Sequence, residues 1–108
     1  MIARVWRGST LPVNAERYVA HLREKTFPGL RAIRGHRGAY VLRRPAAGSV
    51  DFTVVTLWDS LDAIRQFAGG DPEAAVVPDE ARMLLASYDE RALHWEVALD
   101  NVRDTGAK

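Results

Sequence analysis

The sequence predicts an α+β fold, with one four-stranded antiparallel sheet carrying two helices on a single face. Three observations predict it. Segments with strand patterning and segments with helical patterning alternate in the order β-α-β-β-α-β. Turn residues separate them, and no repeat or low-complexity stretch interrupts the order. The third strand runs directly into a helix with a serine at the cap position. That order is the split-βαβ, ferredoxin-like arrangement.

The elements follow in turn. Ile2 to Ser9, "IARVWRGS", reads as the first strand, with Ile2, Arg4 and Trp6 on one side. Ala15, Tyr18, Val19 and Leu22 recur at helical spacing after Asn14, a cap candidate. Pro28 and Gly29 oppose continuation, so the first helix is expected to end near "FPGL". "AIRGHRG" leads to a second strand, Ala39 to Arg44, and "PAAGS" turns the chain back into a third, Asp51 to Trp58. Ser60 caps a second helix with Leu61, Ile64, Phe67 and Ala68 on one stripe. "GGDPEAAVVPDE" reads as a loop, "EARMLLASY" as a short helix, and Ala92 to Leu99 as the fourth strand. Residues 1–99 form the expected domain, and the polar tail 100–108 is expected to fray.

Composition narrows the function classes. A chain of 108 residues builds one core. A net charge of +1 offers no field for nucleic acid. There is no cysteine, which excludes disulfides, thiolate metal sites and a cysteine nucleophile. No apolar run reaches membrane-spanning length, and "MIARVWRG" has no signal-peptide core, so the cytoplasm is the expected location. "RGHRG" lacks the strand-loop-helix context of a phosphate loop. The carboxylates show no metal or glycosidase spacing.

The third strand is apolar on both sides, with Phe52, Val54 and Trp58 on one and Val55 and Leu57 on the other. Two helices cover one face of a four-stranded sheet. The second apolar face therefore predicts a homodimer packed sheet against sheet. Trp58, at the last strand position, reads both as an anchor of the strand-to-helix corner and as one wall of a cleft between sheet and helices.

"MIARVWRG", "TLWDSLDAIRQFAG" and "LHWEV" together resemble the antibiotic biosynthesis monooxygenase domain family over about residues 1 to 99. The most specific piece is Thr56 to Ser60. The resemblance implies a dimeric α+β barrel with a cleft in each subunit. It also implies an oxidoreductase, and the family includes cofactor-independent oxygenases of polycyclic phenols, quinol oxygenases and haem-degrading enzymes. The haem-degrading branch carries an Asn, a ruffling Trp and an axial His at positions that fall here on Trp6, Phe67 and Val77. None matches, so haem degradation is not expected. The phenol branch has a Trp matched by Trp58 and an arginine matched by Arg65. It departs at Val54, Val55 and Ile64, where that branch has Asn, Tyr and Tyr.

The expected function is cofactor-independent monooxygenation of a small aromatic, phenolic or quinol metabolite. The substrate, as an anion, supplies electrons to dioxygen, and the protein removes a proton, stabilises the anion and excludes water. The catalytic candidates are Arg4 as anion stabiliser and His21 and Tyr18 as acid or base. The substrate-binding candidates are Trp6, Trp58, Phe67, Arg65 and His94. Tyr40 is a weaker candidate. No cofactor or metal is expected. Each candidate also has a structural reading: Arg4 paired with Glu96, His21 solvated, Tyr18 in the core, His94 in a structural hydrogen bond. The alternatives are a non-catalytic binding module, or a structural dimer whose cleft is filled by Trp6 collapsed on Trp58.

Overall fold

The computed structural model describes residues 1–103; the end of the expected tail, 104–108, lies outside the described residues. The strands are β1 (Ile2–Thr10), β2 (His36–Ala46), β3 (Ser49–Trp58), β4 (Leu85–Tyr88) and β5 (Leu93–Glu96). The α-helical segments are α1 (Ala15–His21), α2 (Phe27–Arg31), α3 (Leu61–Ala68) and α4 (Asp79–Arg82). The sheet order is β2-β3-β1-β4, with β5 also on β1, and every pairing is antiparallel. The α+β class and the element order through α3 are as expected.

The outer edge differs from expectation. One fourth strand over Ala92 to Leu99 is replaced by two short strands on the same edge of β1. β4 pairs with Gly8 to Thr10, and β5 pairs with Ile2 to Val5. The segment read as a short helix, Glu80 to Tyr88, is helical only to Arg82 and then becomes β4. The Leu85–Tyr88 stretch has free β1 edge beside it, and pairing there satisfies more backbone than another helical turn would.

The first helix also departs from expectation. It does not stop before Pro28. A π-helical segment, Leu22–Thr26, links α1 to α2, and the Phe27 N–H donates to the Leu22 carbonyl. Pro28 lacks the N–H that an α-helix would direct at Glu24, and its ring crowds that carbonyl. A wider turn just before the proline removes both conflicts, and the chain stays helical to Arg31. Asn14 occupies the cap position without a side-chain cap bond.

The second helix begins as the sequence directs. Ser60 Oγ accepts from the Ala63 N–H at 3.1 Å, and Asp62 lies in the positive first turn. Ile64 is buried, but Leu61 is exposed and Ala63 takes its expected place in the core. Gly35 has φ +98, and a Cβ there would lie 2.8 Å from Ala63 Cβ, so glycine lets the loop before β2 press on α3.

The core divides in two. One cluster holds Trp6, Tyr18, Leu22, Phe52 and Val54. The other holds Leu30, Trp58, Ala63 and Ile64, and Phe27 packs against both. The opposite sheet face carries no helix. There Tyr40, Val55, Val5 and Leu93 form one cross-strand row, and Gly38, Leu57, Ala3 and Trp95 form the next. Trp95 is 59% exposed and Tyr40 54%.

Candidate functional site

Between the two core clusters lies a cavity roofed by helical segments on one side and the Val76–Pro78 stretch on another. Its free volume is about 50 Å³, and Arg4, Trp6, Tyr18, His21 and Phe67 all line it. Beside it lies an outer vestibule of about 420 Å³, and His21, Thr26, Leu30, Phe67, Val76 and Pro78 border both. A larger concavity, about 600 Å³, lies near Arg7, Leu42, Arg44 and Asp51. The Arg4 and His21 chemistry belongs to the smaller cavity, where buried nitrogens meet an apolar lining.

β1 places Arg4 and Trp6 on the helix-covered face because alternate residues share a side. Arg4 is only 5% exposed. Its Nη2 donates to the Ala74 carbonyl at 2.6 Å, and its guanidinium carbon sits 5.4 Å from the Phe67 ring centre. Its Nε is buried without a hydrogen-bond partner among the described residues. Burial lowers the Arg4 pKa from its ordinary value, yet a guanidinium starts so high that it keeps its charge. The expected pairing with Glu96 does not occur. Glu96 lies opposite Ile2, and the residue across from Arg4 is His94.

His21 ends α1 and is 9% exposed, which overturns the solvated alternative. Its Nε2 is buried and has no partner among the described residues. The π segment follows at once, and from its last residue onward Thr26, Phe27 and Leu30 line the cavity. Tyr18 packs edge-on against Phe52 with ring centres 5.0 Å apart. Burial pushes its hydroxyl pKa well above the ordinary value, so it stays protonated and keeps an O–H to donate. Trp6 donates from Nε1 to the Asp89 carbonyl at 2.7 Å, which fixes the indole as a wall.

Four sequence candidates fall outside the cavity lining. Trp58 is completely buried, donates from Nε1 to Thr56 Oγ1 at 2.8 Å and touches the His36 and Phe67 rings. It supports Phe67 from behind and does not border the free volume. Arg65 faces outward, paired with Asp62 at 2.7 Å. His94 lies beside Arg4 on β5, and burial together with Arg4 lowers its pKa. Tyr40 is on the open sheet face. Trp6 and Trp58 belong to separate clusters, so they do not fill the cleft against each other.

Sequence reasoning missed Thr26, Phe27 and Leu30, because Pro28 was read as the end of the helix. It also missed the Val76–Pro78 roof, whose only signal was an apolar pair between prolines in a polar loop. That roof is strapped down. Arg91 pairs with Asp71 at 3.1 Å and Glu73 at 3.0 Å, and the Ala92 N–H donates to the Glu73 carbonyl.

One antiparallel sheet with helices on a single face and a cleft between them defines a ferredoxin-like α+β domain. Solved structures with that architecture specify it further. A candidate antibiotic biosynthesis monooxygenase from Bacillus cereus superposes with a TM-score of 0.67 at 12% identity, covering 96% of this chain and 97% of that one. A mutant of MhuD with two manganese protoporphyrin IX molecules per active site gives 0.62 at 21% identity, covering 95% and 100%. The haem degrader MhuD from Mycobacterium tuberculosis, with two haems in its active site, gives 0.58 at 21% identity over 93% and 98%. No family model and no curated protein sequence matches this chain. The chain has the fold of the antibiotic biosynthesis monooxygenases. Among the described residues, no helix is long and apolar enough to cross a membrane, and no cluster of His, Cys, Asp and Glu is arranged to hold a metal ion.

Proposed function

We propose that this protein is a monooxygenase of a small aromatic phenol or quinol that uses the substrate itself as the source of electrons. The observation that carries the reading is one cavity lined by Arg4 and His21, each with a buried nitrogen that has no partner among the described residues, beside aromatic walls. His21 accepts the phenolic proton. Arg4 and the Tyr18 hydroxyl stabilise the resulting oxyanion. Dioxygen adds to the electron-rich ring carbon, and the proton held by His21 passes to the peroxide. Loss of the ring C–H proton and cleavage of the O–O bond give a quinone and water. One oxygen atom enters the product, and the substrate supplies all the electrons. Phe67 binds the ring, Trp6 walls the inner chamber, and Trp58 holds Phe67 in place.

The open sheet face supports a homodimer. Its apolar rows are in register across four strands and include half-exposed Tyr40, Leu93 and Trp95, with exposed Leu42 beside them on β2. A second copy placed sheet against sheet would cover them.

Haem as substrate is the reading that the MhuD structures raise. The position expected to supply an axial histidine is Val77, which borders the cavity and has no donor. His21 is a ring nitrogen in the same cavity, so the reading has a direct test. Oxygen uptake with naphthols and quinols, stoichiometric with quinone formation and lost in Arg4→Ala and His21→Ala at unchanged melting temperature, is the expected result. Binding without oxygen uptake would make the protein a binding module. A haem complex whose Soret band collapses in His21→Ala would overturn the phenol reading.

A further inference from the structure

We infer that the cleft, used as proposed above, takes its ligand end-on in two compartments. A flat apolar body of one or two fused rings occupies the outer vestibule, and a single oxygen at one end enters the inner chamber. The inner chamber, at about 50 Å³, has room for a few water-sized groups and none for a ring. The vestibule, at about 420 Å³, has room for the rings. His21, Leu30 and Phe67 border both and form the neck. Arg4 borders only the inner chamber, and its unpartnered Nε is a permanent donor. A buried donor left unmet is costly, so an acceptor oxygen is the group this chamber favours. Lys25, Gln66 and Glu80 border only the vestibule, which gives the outer end of the ligand a polar setting. A body wider than two fused rings is expected to stop at the neck with its oxygen short of Arg4.

Gly29 provides a test that leaves Arg4, Tyr18 and His21 unaltered. It borders the vestibule alone, and a Cβ there meets nothing within 4 Å. Gly29→Leu fills the vestibule from a helical position where glycine is a poor helix former, so the melting temperature stays level or rises. Binding is read by tryptophan fluorescence and thermal shift with 2-naphthol, naphthalene and the tetracycle 1-pyrenol. The expected result is that 2-naphthol binds about tenfold or more tighter than naphthalene, because only the naphthol satisfies the buried donor. 1-Pyrenol fails to bind, and Gly29→Leu weakens 2-naphthol by a similar factor. Equal affinity for naphthol and naphthalene, undiminished binding in Gly29→Leu, or no binding by any of the three overturns the inference. The oxygenase reading fails separately. Gly29-dependent naphthol binding without oxygen uptake overturns catalysis and leaves the two compartments standing. Oxygen uptake that is indifferent to Gly29→Leu does the reverse.

Discussion

The two faces of the sheet are built from the same strands and differ in what they hold. On the helix-covered face, polar groups are few and buried: Arg4, Thr10 and Thr56, with His21 from above it. On the open face, large apolar side chains stand half in water. A face that encloses polar atoms in an apolar setting concentrates electrostatic effects, because little solvent screens them. A face that exposes apolar rows stores surface energy that another surface can release. The first arrangement suits chemistry and the second suits association.

Substitutions can break the comparison, and the largest effect belongs to the covered face. Trp58→Ala should cost about 3–5 kcal/mol, seen as a large fall in denaturant midpoint, because it empties a fully buried site and strands Thr56. Arg4→Ala should lower kcat/KM about 10²–10³-fold if Arg4 meets the oxyanion, with a much smaller change in substrate affinity. Leu93→Lys with Trp95→Lys should convert a dimer to a monomer in light scattering, with roughly 2 kcal/mol or more of association energy lost per anchoring aromatic. Ser60→Ala should cost about 1 kcal/mol from the lost cap. The smallest effect sharpens the contrast through pH. Burial and Arg4 hold the His94 pKa below its ordinary 6.5, and burial with Arg31 does the same to His36. The unfolded chain then binds more protons as pH falls through 6.5, so stability is full above that value and declines below it. His94→Gln should flatten the fall of melting temperature with acid, leaving the part due to His36.

Much of this was legible in the sequence. Alternation placed Arg4 and Trp6 on one side of β1, and Ser60 marked the start of α3. The apolar double face of β3 announced an uncovered surface. What was hidden depends on contacts distant in sequence. Whether Trp58 borders free volume or fills it depends on Phe67, His36 and Leu30, which no local pattern relates to it. The split outer edge depends on where β1 leaves hydrogen-bonding groups free. The burial of His21 depends on how the helix accommodates Pro28, and proline was read as a terminator when it acts as a cause of widening.

That widening has a genetic consequence. The Leu22–Thr26 segment holds one residue more than an α-helix of the same span requires. Deleting one residue there would let ordinary α geometry close up and would turn the preceding half of the helix by about 100°. Leu30 would keep its seat while His21 swung away from the cavity. A single codon therefore separates a helix that brings Tyr18 and His21 together at the cleft from one that turns both away.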